Sequence, residues 1–229
     1  PSVRFLKKYL KEHPVDAIIS TGPPHSMHLI ALKLHEKLGT PWVADFRDPW
    51  TEYDYYKDFL LTPKNDRKHH ELERKVLVSA NEVVTVSQFL AGNFSKLSSR
   101  SVKVIPNGFD CKINDDFDGK KLSGKFTISH IGVLSSKGNP DKLWEAIKEL
   151  SEENQLFRES LEILFIGQID KTIKETILQN GLGDCTFFTS YVPHAEAIDM
   201  QRESQVLLVS INDTPSARGV LTGKIFEYL

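Results

Sequence analysis

The sequence predicts an α/β protein of two lobes, each built on a parallel sheet. Three observations carry this. Short apolar runs of strand length alternate with stretches of helical period along most of the chain. The alternation breaks once, where Val102–Ile105 ends in Pro106-Asn107-Gly108, a strong turn signal, and a polar, acidic segment from Asp110 to Lys125 follows. Strand–helix–strand successions stand on both sides of that break. The boundaries read as a first lobe over 1–108, a linker over 109–124 and a second lobe over 125–229. A ligand cleft between two such lobes is the expected place for chemistry.

In the first lobe, Val3, Leu6 and Leu10, with Phe5 and Tyr9, make an apolar helical stripe, and Arg4, Lys7, Lys8 and Lys11 fall on the remaining surface. That basic surface has two readings: a solvated helix face, or a patch resting on anionic lipid headgroups at the inner face of the cell membrane. Asp16–Ser20 reads as a strand, Ser26 as the cap of a helix over Met27–Leu38 closed by Gly39, and Pro41–Phe46 as the next, parallel strand. Two strand ends are rich in polar chemistry: Thr21-Gly22-Pro23-Pro24-His25 and Asp45-Phe46-Arg47-Asp48-Pro49-Trp50. Residues past the carboxyl ends of parallel strands face the ligand crevice, which makes His25, Arg47 and Asp48 candidates. The structural alternative is an Asp45–Arg47 pair with Trp50 as a hydrophobic lid. Thr51–Thr62 reads as an aromatic loop or short helix. A helix over Asp66–Ala80, a strand over Glu82–Val86, a helix over Gln88–Leu97 and a strand over Val102–Ile105 follow. His69 and His70 are adjacent, so they point to different faces and make no metal pair.

In the second lobe, a strand over Lys125–Ile131 runs into the loop Gly132–Pro140, with Lys137 inside it and a helix over Asp141–Leu150 behind it. A glycine-bearing loop before a helix suits a phosphate. Strands are expected over Leu161–Ile166 and Thr186–Thr189, and a buried one over Val206–Ile211. Helices are expected over Lys171–Gln179, Ala195–Glu203 and from Gly223, the last carrying Lys224 and Glu227.

Composition bounds the function. With 40% hydrophobic and 26% charged residues over 229 positions, the chain has the make-up of a globular protein. A net charge of −2 argues against broad nucleic-acid binding. Cys111 and Cys185 are too few for a disulfide framework or a zinc ribbon, which fits a reducing cytosol. No signal-peptide pattern is read, and the apolar runs are too short to span a membrane. The chain opens on Pro1 in a helical pattern and stops at Leu229 inside another, so both lobes are expected to be incomplete pieces of a longer protein. Such a fragment is expected to be inert and prone to self-association.

Taken together, STGPPH (Ser20–His25), PWVADFRDPW (Pro41–Trp50), VVTVS (Val83–Ser87), VIPNGFD (Val104–Asp110), the Gly132–Pro140 loop and GKIFEYL (Gly223–Leu229) resemble, in order, the GT-B glycosyltransferases of the family 4 (group 1) type, with the flavour of bacterial surface-polysaccharide and lipopolysaccharide enzymes. The resemblance implies two Rossmann-like domains, the first for a saccharide or lipid-linked acceptor and the second for a nucleotide-diphosphate sugar. It implies hexosyl transfer with retention and without a metal or other cofactor. Glu227 would hold the ribose hydroxyls, and Lys137, Lys224 and the Gly132 loop the diphosphate. His25, Arg47 and Asp48 would orient the acceptor hydroxyl. The chain departs from the pattern at Gly219, where a glutamate often stands eight residues before Glu227, and at Val133, where arginine often follows the glycine. Three rivals stand beside this reading: a nucleotide-sugar epimerase of the same shape, a non-enzymatic two-lobed binding protein, and a metal-dependent transferase using Asp116-Phe117-Asp118.

Overall fold

A computed structural model describes residues 1–53, 55–108, 122–220 and 222–228. Most of the expected linker, with Cys111 and Asp116-Phe117-Asp118, lies outside the described residues. The chain forms two compact units, Pro1–Gly108 with Thr214–Leu221 and Phe109–Asp213 with Thr222–Leu229.

The first unit runs α1 (Ser2–Glu12), β1 (Ile18–Gly22), α2 (Ser26–Leu38), β2 (Trp42–Phe46), a 3-10 turn (Tyr56–Phe59), α3 (Pro63–Ser79), β3 (Glu82–Thr85), α4 (Gln88–Ser98) and β4 (Lys103–Val104). Its four strands lie in the order β1-β2-β3-β4, all parallel. Right-handed crossovers in a sheet that grows in one direction put every crossover helix on the same face. The burial follows. Trp42, Ala44 and Phe46 are buried against Ala31 and Leu32 of α2, Val76 and Leu77 of α3, and Leu90 and Phe94 of α4. Ile19, on the other face of β1, is exposed. The register sets Gly22 level with Phe46 and Phe46 level with Thr85, so the loops after these strands leave from one edge.

Two helix starts differ from the sequence expectation. Thr62 caps α3 by accepting from Asn65 N, with Pro63 at the first helical position, so the helix begins before Asp66. Ser26 is the first residue of α2 rather than its cap, and no side chain caps that helix. Gly39 ends it at φ 70°, as expected.

The second unit runs β5 (Phe126–Ile131), a 3-10 turn (Ser136–Gly138), α5 (Asp141–Glu153), α6 (Gln155–Ser160), β6 (Leu161–Ile166), α7 (Lys171–Gln179), β7 (Thr186–Thr189), α8 (His194–Glu203), β8 (Val206–Leu207) and α9 (Gly223–Tyr228). The order is β7-β6-β5-β8, again all parallel. Trp144, Ile163, Phe165, Ile173 and Ile177 centre its core. The buried strand expected over Val206–Ile211 shrinks to two residues, and Val206 is 39% exposed. The physical reason is position: β8 is the outer strand of the described sheet, paired on one side only. Helix α6 falls outside the sequence expectation; Asn154 caps it by accepting from Phe157 N. Among the described residues no helix is long and apolar enough to cross a membrane.

Candidate functional site

The strand order of the second unit selects a location. From β5 the chain moves outward through β6 to β7, then returns to the other side of β5 to lay down β8. Ligands in open parallel sheets bind outside the carboxyl ends of the strands where the order reverses, here between β5 and β8. Gly132 leaves β5 at that point. It has φ +119°, a conformation that a side chain would strain, and its amide N donates to Ile166 O at 2.7 Å.

Lys224 of α9 stands over Gly132. A Cβ at Gly132 would lie 2.9 Å from both Cε and Nζ of Lys224. The ammonium is 3.4 Å from His130 Nε2, and His130 Nδ1 is 3.0 Å from Leu208 O. The carbonyl can only accept, so Nδ1 carries the proton and Nε2 is left to accept from Lys224. Burial, with Lys224 adding to it, lowers the His130 pKa to about 4. Burial also lowers the Lys224 pKa, with Glu227 opposing it. The result is a half-buried ammonium beside a neutral imidazole, over a glycine with no side chain to cover its backbone. The ammonium can donate to a phosphate oxygen, for which the bare glycine leaves room.

The rest of the loop is braced. Leu134 N donates to Gln168 O and Asp170 N to Leu134 O, both at 3.0 Å, and Ser210 Oγ donates to Gly138 O. Lys137 lies exposed in the 3-10 turn of this loop. The N-terminus of α5 carries its own carboxylate, Asp141, which accepts from Asn139. An anion is therefore better served at Gly132 and Lys224 than at that helix end, where the sequence pattern alone would put it. Glu227 lies one turn beyond Lys224, with Oε1 3.9 Å from His194 Nε2.

The first unit holds a cavity of about 490 Å3 at its strand-end edge, and His25, Asp48 and Trp50 are among the residues that line it. His25 stacks on Trp50 with ring centres 5.3 Å apart and planes 10° apart. Arg47 does not join them. Its guanidinium is exposed and donates to Asn107 of the Pro106-Asn107-Gly108 turn. Nor does it pair with Asp45, which accepts from Thr21 Oγ1 at 2.9 Å. Burial raises the Asp48 pKa, and neighbouring Arg47 opposes this.

Two groups that sequence reasoning passes over hold this edge. Glu73 of α3, 1% exposed, accepts from Trp50 N at 3.2 Å, Thr51 N at 3.4 Å and Thr51 Oγ1 at 2.5 Å. It pins the loop that carries Trp50. His28 is fully buried, and its Nδ1 lies 2.8 Å from Ser20 Oγ, which accepts from Trp42 Nε1. Ser20 Oγ can donate to His28 Nδ1 or accept a second hydrogen bond from it. His28 Nε2 and His25 Nδ1 are buried without a hydrogen-bond partner among the described residues, flanking Gly22 at 2.7 and 2.9 Å from where its Cβ would stand.

These environments make a pH prediction. Burial lowers the pKa values of His25, His28 and His130 from 6.5 to about 4. Below pH 6.5 the unfolded chain takes up protons that the folded one refuses until about pH 4. The contribution of these histidines to stability is thus full above 6.5 and is lost as pH falls through this window. Melting temperatures across a pH series should hold at neutral pH and fall steadily through it; a flat profile would contradict these burials.

Residues 1–113 match the family described as Glycosyltransferase Family 4. No curated protein matches the chain by sequence. Solved structures match over nearly its whole length. HepE of Anabaena, in complex with UDP, has a TM-score of 0.70 at 16% identity, over 99% of this chain and 60% of its own. An α,α-trehalose-phosphate synthase (UDP-forming) from Burkholderia vietnamiensis has 0.64 at 13%, over 99% of this chain and 58% of its own. A point mutant of TarM from S. aureus, with UDP among its ligands, has 0.59 at 13%, over 92% of this chain and 40% of its own. This chain therefore spans no more than about three fifths of these proteins. What they share with it is the fold, the GT-B combination of two parallel-sheet α/β units.

Proposed function

We propose, from a first unit that matches Glycosyltransferase Family 4, that the whole protein moves a sugar from a nucleotide-diphosphate sugar to a saccharide or lipid-linked acceptor. One observation carries the reading: the Lys224 ammonium over bare Gly132 at the reversal of strand order. Breaking the bond between the anomeric carbon and the diphosphate leaves negative charge on the departing phosphate. Fixed donors aimed at that charge lower the barrier most. Lys224 and Lys137 take this role, Gly132 leaves the room for the phosphate to approach, and Glu227 takes the ribose hydroxyls. UDP is the first nucleotide to try, because HepE and TarM were both solved with it.

In the first unit, His25 and Asp48 share one cavity and are assigned to the acceptor. Arg47 is assigned to holding the Asn107 turn. Transfer is assigned as hexosyl, with retention, without metal or other cofactor. The setting is bacterial cell-envelope polysaccharide synthesis, in the cytoplasm at the inner membrane face. The test is to incubate the full-length protein with donor sugar, with and without acceptors. A transferase consumes donor when acceptor is added; an epimerase converts it alone; a binding protein leaves it unchanged.

Replacing Glu227 by alanine in the full-length protein should weaken nucleotide binding about ten- to a hundredfold, the worth of hydrogen bonds to a charged group. Its side chain is 40% exposed, so the melting temperature should stay within a degree or two. Unchanged binding would remove Glu227 from the site.

A further inference from the structure

The cavity of the first unit has a wall chemistry that selects among acceptors. Its surface is mainly apolar, with Pro24, Leu29, Trp50, Tyr56, Phe59 and Leu72 beside the polar His25, Ser26, Asp48 and His69. Tyr56 has its hydroxyl proton engaged, donated to Asp66 at 3.0 Å. Trp50 is held against the wall by its stack on His25 and by its backbone N–H to Glu73. A free saccharide needs a polar partner for nearly every hydroxyl it buries. The few polar groups of this wall serve one or two hydroxyls rather than a whole sugar ring, whereas a hydrocarbon chain gains from each methylene it removes from water. At about 490 Å3 the cavity is of ligand size.

The rim carries the second observation. At the end of the 3-10 turn Tyr56–Phe59, Phe59 is 61% and Leu60 is 89% exposed. Leu60 has φ 47°, a left-handed conformation that glycine or asparagine would adopt at lower cost. Two adjacent large apolar side chains thus face water at the edge of an apolar cavity. Lys57, Lys64, Arg67 and Lys68 are exposed in the same stretch of chain, which also supplies Tyr56, Phe59 and His69 to the cavity wall. Two carboxylates, Asp58 and Asp66, stand among these four cations, so the stretch keeps an excess of positive charge, and Asp66 is engaged by Tyr56 and lies 3.6 Å from His70. Apolar side chains bordered by exposed cations fit a hydrocarbon tail with an anionic head.

We propose that the acceptor is an anionic lipid whose hydrocarbon chain enters the cavity beside Trp50 over the Phe59–Leu60 rim, its phosphate lying against the lysines of Lys57–Lys68. This rests on the reading above that the first unit holds the acceptor, and within that reading it selects the lipid-linked class over the free saccharide.

Farnesyl phosphate is the probe, titrated below its micelle concentration into the full-length protein while tryptophan fluorescence is followed. Trp42 and Trp144 are fully buried in the two cores, so Trp50 is the tryptophan at the cavity within this chain, and a Trp50→Phe variant identifies its signal. Farnesyl phosphate should give a saturable change that the Trp50→Phe variant lacks. Inorganic phosphate and N-acetylglucosamine 1-phosphate should give none at the same concentrations. A Phe59→Asp, Leu60→Asp double variant changes only exposed side chains and should fold normally, yet bind farnesyl phosphate at least tenfold more weakly. The proposal is overturned if the sugar phosphate titrates and farnesyl phosphate does not, or if the rim variant binds as the wild type does. Binding of UDP, GDP or dTDP in the same samples separates the two levels. Farnesyl phosphate binding without binding of UDP, GDP or dTDP would end the transferase reading and leave the lipid site. UDP binding without farnesyl phosphate binding would do the reverse.

Discussion

Replacing Lys224 by methionine should slow sugar transfer by the full-length protein about a hundred- to a thousandfold while leaving its fold intact. Methionine keeps most of the length and the apolar stem, so the space over Gly132 stays filled. What is lost is the charge. In the folded chain that charge is half-buried, depressed in pKa by its burial and set beside the neutral ring of His130. An ammonium held this way costs folding energy, which a developing phosphate charge would offset during reaction. The melting temperature of the variant should therefore hold or rise, as it does when a strained functional group is removed. The loss should fall on kcat more than on KM, because the interaction strengthens as the leaving phosphate gains charge. A kcat within threefold of wild type would place the diphosphate elsewhere.

The second large effect concerns stability. Replacing Glu73 by alanine should cost about 3–5 kcal/mol. Three donors converge on this carboxylate: Trp50 N, Thr51 N and Thr51 Oγ1. Trp50 and Thr51 are themselves buried, so water does not replace the lost acceptor freely. Alanine also leaves a void where the carboxylate stood. Glutamine keeps one carbonyl acceptor and should cost less than half as much. Urea midpoints, compared at unchanged slope, measure both. Because Glu73 pins the loop bearing Trp50, the alanine variant that still folds should also lose the tryptophan response of the cavity. An alanine variant within 1 kcal/mol of wild type would mean that the loop is held by other contacts.

Much of the fold is legible in the sequence because apolar periodicity is local. Leu161–Ile166 and Thr186–Thr189 occur with the bounds their apolar runs suggest, and Gly39 stops α2 where a glycine after the last apolar residue should. The strand over 206–211 is not legible. A continuous apolar run reads as central, and only the sheet order reveals that β8 is outermost among the described strands. At the candidate site, Gly132 and Lys224 can be named from sequence and the resemblance puts both at one diphosphate, but the close stand of the ammonium over the glycine is seen only in the fold. His130 passes in sequence for one residue of a strand, although a histidine two positions before the glycine that ends the strand is a usable signal. Glu73 gives none, being one charge among many in α3. Arg47 looks like a site residue through its neighbours, yet its partner, Asn107, lies on a turn far along the chain. Gly219, where the resemblance suggests a glutamate, packs so closely on α4 that a Cβ would sit 2.9 Å from Phe89 Cδ1 and 3.1 Å from Leu90 Cδ2. That lack of room is a property of three dimensions, invisible in the sequence.

The claim that the Gly132–Lys224 corner holds a nucleotide diphosphate is tested most directly by calorimetric titration of UDP, GDP and dTDP into the full-length protein and its Lys224→Met variant. One of the three should bind the wild type with one-to-one stoichiometry, and the variant should bind that nucleotide at least tenfold more weakly, a difference of about 1.4 kcal/mol. Wild-type protein that binds none of them, or a variant that binds with undiminished affinity, would contradict the assignment.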